Sequence, residues 1–300
     1  MTEILVVGSL NTDLVVRTAR FPAPGETISG EDLQIFPGGK GANQAVAAAR
    51  QGASVAMLGR VGKDNFGDFL LDNLKMNHVD TRLIQRDDAA TGAAVIMVDT
   101  NGQNSIILSP GANGKVSPAD VETVSFADVK LALFQLEIPL ETVLRAAIAA
   151  KKNGARVLLN PAPARSLPDE LIAQADFILP NETELSQLTN LSVKDIHSAE
   201  TAARTLLAKG AQTVIVTLGA NGALIVNKHQ ATHVPTFKVN PVDTTAAGDA
   251  FIGGFASALL RGLKLEEAVR YANACGGLAA TKLGAQPSLP TKEDVEKFIA

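Results

Sequence analysis

The run Val242-Asp243-Thr244-Thr245-Ala246-Ala247-Gly248-Asp249-Ala250-Phe251 ends a polar segment in small residues, and a long apolar helical pattern follows at once. Backbone amides at a helix start have no intrahelical partners, and small residues let an anion approach them closely. Asp249 sits beside that positive end, where the helix dipole favours an ionised carboxylate. An anion hole beside a charged carboxylate is what phosphoryl transfer to a hydroxyl requires: one part holds the phosphate, the other accepts the proton. An N-capping aspartate in a first helical turn explains the same residues without chemistry, so the segment needs support from elsewhere in the chain.

Four other segments supply it. Gly38-Gly39-Lys40-Gly41-Ala42-Asn43 precedes a helical pattern and combines glycines that admit a ligand to the backbone with a cation and an amide. It lacks the spacing and the Lys-Ser/Thr ending of a P-loop, and a tight strand-to-helix turn is its plainer reading. Gly8-Ser9-Leu10-Asn11-Thr12-Asp13 follows the first apolar run. Ligands of open parallel sheets bind beyond the carboxyl ends of strands, and Asn11 and Asp13, two apart, share one face of an extended segment. An amide and a carboxylate so placed can grip adjacent sugar hydroxyls; an Asx-turn pair is the alternative. In Pro180-Asn181-Glu182-Thr183-Glu184, a helix starting near Asn181 turns Glu184 the same way, and a hard oxygen ligand there suits Mg²⁺ bridging phosphates. A helix cap with an acidic first turn competes with that reading. Thr217-Leu218-Gly219-Ala220-Asn221-Gly222 ends another apolar run in residues small enough to admit a nucleotide.

The elements that must position these segments alternate between two periods. Ile4–Val7, Val55–Leu58, Lys130–Phe134, Arg156–Leu159, Phe177–Leu179 and Thr213–Thr217 read as buried strands; Ala42–Arg50, Phe66–Met76, Leu140–Lys151 and Ala199–Lys209 read as helices. The pattern predicts an α/β fold, a central mostly parallel sheet with helices on both faces. Asp13–Phe36 and Thr91–Leu108 break the rhythm with short alternating pieces and an Asn101-Gly102 hairpin turn, and predict a small antiparallel β-sheet lid. Gly248–Arg261, Leu265–Leu283 and Thr291–Ile299 read as helices, the last opened by a capping box of Thr291 and Asp294. With no repeat and no linker, residues 1–300 read as one domain, its lid strands drawn from about 13–36 and 91–109.

With 300 residues and 46% hydrophobic content the chain can bury a large core. A net charge of −4 with no basic run argues against a nucleic-acid partner. No apolar stretch approaches the ~18 residues of a membrane span, the start lacks the basic region of a signal peptide, and Cys275 is the only cysteine. The expectation is a cytoplasmic protein. The four histidines, His78, His197, His229 and His233, offer little: His229 and His233 flank a strand connection, and no Cys or carboxylate joins them at metal-ligand spacing.

Gly38–Asn43, Asn181–Glu184, Asp243–Asp249, the run Asn160-Pro161-Ala162-Pro163-Ala164 and the tail Gly284–Ser288 together resemble the ribokinase group of carbohydrate kinases over essentially the whole chain. The resemblance implies that Asp249 is the catalytic base and that the amides of Ala246, Ala247 and Gly248 form the anion hole; many relatives carry glycine where this chain has Ala246. It implies that Asn11, Asp13, Gly39, Lys40, Asn43 and Glu137 hold a pentose, D-ribose phosphorylated on its 5-hydroxyl, with 2-deoxyribose, another small sugar or a nucleoside as the alternative acceptor. Asn181, Thr217, Gly219, Gly222, Gly248 and Asn273 would bind ATP, and Glu184 would hold Mg²⁺ through water. Asp243, Thr245, Ala279, Lys282 (through its carbonyl), Gly284 and Ser288 would surround an activating K⁺. The exposed edge of the lid invites a homodimer. Two other classes compete: a dehydrogenase, which would need a glycine fingerprint absent from the first turn, and a non-catalytic sugar-binding protein, which would need neither Asp249 nor the anion hole.

Overall fold

The computed structural model describes residues 2–300. Its strands are β1 (Ile4–Val7), β2 (Asn11–Arg17), β3 (Gln34–Gly38), β4 (Val55–Gly62), β5 (Asp80–Asp87), β6 (Gly92–Val98), β7 (Asn104–Ser109), β8 (Leu131–Phe134), β9 (Arg156–Leu159), β10 (Phe177–Ile178), β11 (Thr213–Thr217), β12 (Ala223–Asn227) and β13 (Ala231–Val234). Nine form one sheet in the order β13-β12-β11-β10-β9-β8-β1-β4-β5, parallel from β11 through β5 and antiparallel only at the β11-β12-β13 edge. Successive strand residues point to opposite faces. Thus Ile4 and Val6 join Met57 and Leu133 in one buried core, while Leu5 and Val7 join Leu58, Ala132 and Phe134 in the other. Helices close both faces, as the continuous apolar runs require.

Three helices set the geometry of the site. Lys40–Arg50, Ala247–Leu260 and Leu265–Ala279 pack on one face, and two adjacent glycines bring them together. A Cβ on Gly253 would lie 2.4 Å from Cβ of Ala47, and one on Gly254 would lie 2.5 Å from Sγ of Cys275. The glycine pair therefore presses the helix carrying Asp249 against the helix carrying Asn43.

Two expectations are corrected. The helix expected over Leu265–Leu283 ends at Ala279, because the amides of Val242 and Asp243 both donate to the carbonyl of Ala280 and the chain turns there. Strand β5 was not foreseen: all of its residues but Leu83 and Ile84 are charged or polar, as befits an edge that faces solvent. Thr291 and Asp294 form the expected capping box.

The second sheet has the order β3-β2-β6-β7, antiparallel in its outer pairs and parallel between β2 and β6. Its registers set two rows. Phe36, Asp13, Ala94 and Leu108 lie across one face; Ile35, Leu14, Val95 and Ile107 lie across the other. No helix among the described residues is long and apolar enough to cross a membrane.

Candidate active site

Asp249 lies in the first turn of the Ala247–Leu260 helix, and its side chain is buried. Its Oδ2 accepts from Nδ2 of Asn43 and its Oδ1 from Nε2 of Gln44, each at 2.9 Å. Burial pushes this carboxyl up, against the charge of Lys40 and the two amide donors. The amides around it are placed for an anion. Ala247 donates to the Thr244 carbonyl at 3.2 Å, which removes one of the three expected hole amides. Among the described residues the amides of Ala246, Gly248 and Asp249 itself have no partner, and the space above Gly248 is open.

On the far side of Asp249 lie the groups from β1, β2 and the Lys40–Arg50 helix. Glu137 Oε2 accepts from Ser9 Oγ at 2.5 Å, from the Lys40 amide at 3.1 Å and from Nδ2 of Asn11 at 3.4 Å. Asn11 Oδ1 accepts from Nδ2 of Asn113 at 2.8 Å, and Asn113 also clasps both backbone groups of Leu10. Asp13 accepts no hydrogen bond from the protein. Its carboxylate lies over Gly38, where a Cβ would be 2.2 Å from Oδ2, and burial with the nearby Glu137 and Asp249 pushes its pKa up to about 7. Gly39, at φ 88°, passes so close to the Asn11 amide that a Cβ would sit 2.6 Å away, so glycine alone fits there. Burial works against the charge of Lys40, but Asp249, Glu137, Glu184 and Asp13 together outweigh it and push its pKa up. A cavity of about 320 Å³ runs from Asn11 and Glu137 past Asn113 to Leu108 and Ser109. A larger one, about 730 Å³, opens at the opposite end of the sheet between Glu3, Lys130 and Arg156, remote from this cluster.

Unpaired helix amides, a buried carboxylate and a row of polar side chains thus converge beyond the carboxyl ends of the strands. A model of the pfkB family of carbohydrate kinases matches residues 1–292. The chain belongs to this family. It is 44% identical to a ribokinase of Haemophilus influenzae over 99% of this chain and 98% of that protein. It is 41% identical to a deoxyribokinase of Salmonella typhi over 99% of both. The structure of an Arabidopsis thaliana ribokinase complexed with ribose and ATP superposes with a TM-score of 0.93 at 34% identity, covering 100% of this chain and 99% of that one.

In this pfkB-family chain the middle segment is a helix start. Asn181 Oδ1 accepts from the Glu184 amide at 2.8 Å and Glu184 Oε2 from the Asn181 amide at 2.9 Å, the reciprocal cap that competed with a metal role. Glu184 keeps Oε1 uncommitted, and burial pushes its carboxyl up. Asn181 bridges to Thr217 beside it, and the Thr217 amide donates to Pro180. Gly222, at φ 87°, meets the Val234 carbonyl, which also accepts from Nδ2 of Asn273 at 3.1 Å. Gly219 stands free beside them.

The segment named for a cation is tied together by hydrogen bonds within the protein. Asp243 Oδ1 accepts from the amide and the hydroxyl of Thr245, and Oδ2 from the Gly284 amide at 2.9 Å. The Lys282 amide turns back onto the Ala279 carbonyl at 3.2 Å, and Ser288 Oγ donates to the Ala285 carbonyl at 2.8 Å. Asp243 is thus a turn cap, and it pairs with no Lys or Arg among the described residues.

Sequence reasoning passed over Gln44, Asn113 and Gln135. Gln44 directly follows the glycine-rich motif, and its position next to Asn43 was the one available signal. Asn113 and Gln135 are isolated amides whose partners lie far off in sequence.

Proposed function

We propose that this protein transfers the γ-phosphate of ATP to the 5-hydroxyl of D-ribose, giving ribose 5-phosphate. The observation that carries the reading is the buried Asp249 carboxylate beside the free amides of Ala246, Gly248 and Asp249. Asn11, Asp13, Glu137, Asn43, Lys40 and the Gly39 backbone hold the sugar, so that its terminal hydroxyl meets Asp249. A sugar hydroxyl is a weak nucleophile; Asp249 orients it and takes its proton as the bond to phosphorus forms, and charge growing on the phosphoryl oxygens falls on the helix amides. The Lys40 ammonium, drawn by four carboxylates but paired with none of them among the described residues, is free to meet the transferred phosphate. Thr217, Gly219, Gly222, Asn181 and Asn273 line the nucleotide's side.

The donor set suits two cations. No cluster of three or more His, Cys, Asp or Glu side chains among the described residues would cage a metal, and Glu184 alone leaves a carboxylate oxygen over the phosphate side, which fits Mg²⁺ held through water and phosphate. The ligands proposed around Asp243 would all be oxygens, from its own carboxylate, the carbonyls of Ala279, Lys282 and Gly284, and Thr245 and Ser288, a set that suits K⁺. Held there, Mg²⁺ would offset the phosphate charge and K⁺ would steady the loop of Asp243 and Thr245 that leads into the helix amides.

The whole chain is read as one domain, with the four-stranded sheet as a lid whose Asp13 row covers the sugar. Its other row exposes Ile35, Val95 and Ile107, a face suited to pairing with a second copy. A cytoplasmic homodimer completes the reading.

The test is ADP release with a panel of pentoses. Ribose-dependent ADP release that yields ribose 5-phosphate is the expected result; nucleotide turnover without sugar dependence, or none, overturns it. The deoxyribokinase likeness makes 2-deoxyribose the second acceptor to compare.

A further inference from the structure

The carboxylate of Asp249 has a support that makes no contact with the exterior. Gln44 and Gln135 are fully buried, and Asn160 nearly so. Nε2 of Gln44 donates both to Asp249 Oδ1 at 2.9 Å and to Asn160 Oδ1 at 3.1 Å, while its Oε1 accepts from Nε2 of Gln135 at 2.5 Å. The direction of this chain is set from one end. Nδ2 of Asn160 donates to the Leu179 carbonyl at 3.0 Å, and a carbonyl can only accept. Asn160 must therefore turn its oxygen to Gln44, and Gln44 must turn its nitrogen to Asp249. With both Nε2 hydrogens and Oε1 engaged, the Gln44 amide has no alternative rotamer that keeps its bonds.

We propose that Gln44 is a positioning residue for the base: it fixes the plane of the Asp249 carboxylate from behind, so that the remaining lone pairs face the acceptor hydroxyl. The inference rests on Asp249 being the base of the reaction proposed above. Asn43 holds the other oxygen from the substrate side, at a residue assigned to the sugar; Gln44 holds Oδ1 where no substrate reaches. The second consequence is electrostatic. Lys40 on the same helix, Glu137 after β8, Asp13 on β2 and Glu184 all face Asp249, three of them with its own sign. In that company a donor to the charged form keeps the base ionised at lower pH.

The experiment compares wild type, Gln44→Met, Gln135→Met and Asp249→Asn, reading kcat, KM for ribose and for ATP, and kcat against pH. Gln44→Met keeps length and loses every hydrogen bond. Its expected result is a kcat reduced about 10- to 100-fold, both KM values within about threefold of wild type, and the acid limb of kcat moved up by about one pH unit. Gln135→Met leaves the Gln44 bonds to Asp249 and Asn160 in place and removes only the anchor on Gln44 Oε1, so the amide plane is held less firmly; a smaller fall in kcat with the limb moved the same way is expected. A Gln44→Met enzyme with wild-type kcat, or with kcat lowered but the acid limb unmoved, overturns the proposal. If Gln44→Met does not fold, a wild-type kcat and pH profile in Gln135→Met overturns it instead. Absence of ribose-dependent turnover in the wild type would remove the underlying reading; an inert Asp249→Asn beside an unaffected Gln44→Met removes this inference alone.

Discussion

Asp13 is the site's most exposed conflict between stability and function, and Asp13→Asn measures it. In the folded protein its carboxyl is pushed from 3.8 up to about 7 by burial and by Glu137 and Asp249, with only the charge of Lys40 opposing them and no hydrogen-bond donor among the described residues. The folded state therefore holds this proton more tightly than the unfolded chain. The stability contributed is complete below the unfolded pKa and is lost as pH rises through the folded one. At pH 5 the unfolded chain has gained roughly 1.2 units' worth of ionisation and the folded state almost none, about 1.6 kcal/mol; at pH 8 the gap reaches roughly 3.2 units, about 4 kcal/mol. Asparagine has the same shape and does not titrate, so the variant is expected to be more stable than the ligand-free wild type by those amounts, with the gap widening from pH 5 to pH 8. The same change removes an anionic acceptor from the sugar's hydroxyls, where a charge-assisted hydrogen bond is worth ~1.5–3 kcal/mol, so KM for ribose is expected to rise at least about tenfold while KM for ATP stays near wild type. Urea denaturation at pH 5, 6, 7 and 8, paired with steady-state kinetics, reads both. A variant no more stable than wild type at pH 8, or a gap independent of pH, would refute the argument that the buried carboxylate is held at the fold's expense.

Three further outcomes are expected. Asp249→Asn keeps shape but cannot take a proton, so kcat is expected to fall by at least the ~10²–10⁴-fold of general-base catalysis with sugar and ATP binding largely kept, as calorimetry would read; more than about a tenth of wild-type kcat excludes it as the base. At constant ionic strength the rate in K⁺ is expected to exceed that in Na⁺ or a bulky organic cation, and Asp243→Ala to erase the difference; equal rates in all three salts remove the cation site and leave the kinase reading standing. Gly253→Val places a side chain where even a Cβ would lie 2.4 Å from Ala47, so a loss of at least about 1–3 kcal/mol in denaturation is expected, with a fall in kcat as Asp249 moves off Asn43; unchanged stability would mean the two helices are not pinned there.

What the sequence disclosed follows the range over which each interaction acts. Strands such as Arg156–Leu159 and Thr213–Thr217 carry their own period and composition and stand where the pattern put them. So does the Thr291 cap, whose partners lie three residues apart. The helix after Leu265 was read too long because Thr281, Lys282 and Leu283 tolerate helix, while the groups that end it, the amides of Val242 and Asp243, come from a distant segment. In the site, Asn11, Asp13 and Asp249 stood out as polar residues at strand ends or a helix start. Gln44 did not: a glutamine in an alanine-rich helix has no local mark, and its partner Asp249 is 205 positions away. Nor did the loss of the Ala247 amide to Thr244, since only the backbone path of that loop decides which amides stay free.

The charge inventory of the site explains why the proposed chemistry demands cations. Asp13, Glu137, Glu184 and Asp249 all act on one ammonium, that of Lys40, and burial raises the cost of every unpaired charge among them. A nucleoside triphosphate brought to such a site would meet net repulsion from the carboxylates proposed to grip the sugar and receive its proton. The helix amides offset part of this, because they present partial positive charge with no counter-carboxylate to desolvate. The remainder must come with the substrate. Under the proposed function, a hard divalent ion arriving on the phosphates would need from the protein little more than an oxygen of Glu184, and would offset the incoming charge without a permanent cage that would also quench Asp249. The proposed arrangement would therefore separate two tasks that one buried metal site would confuse: the nucleotide's charge would be carried in and out with it, while the base would keep its own.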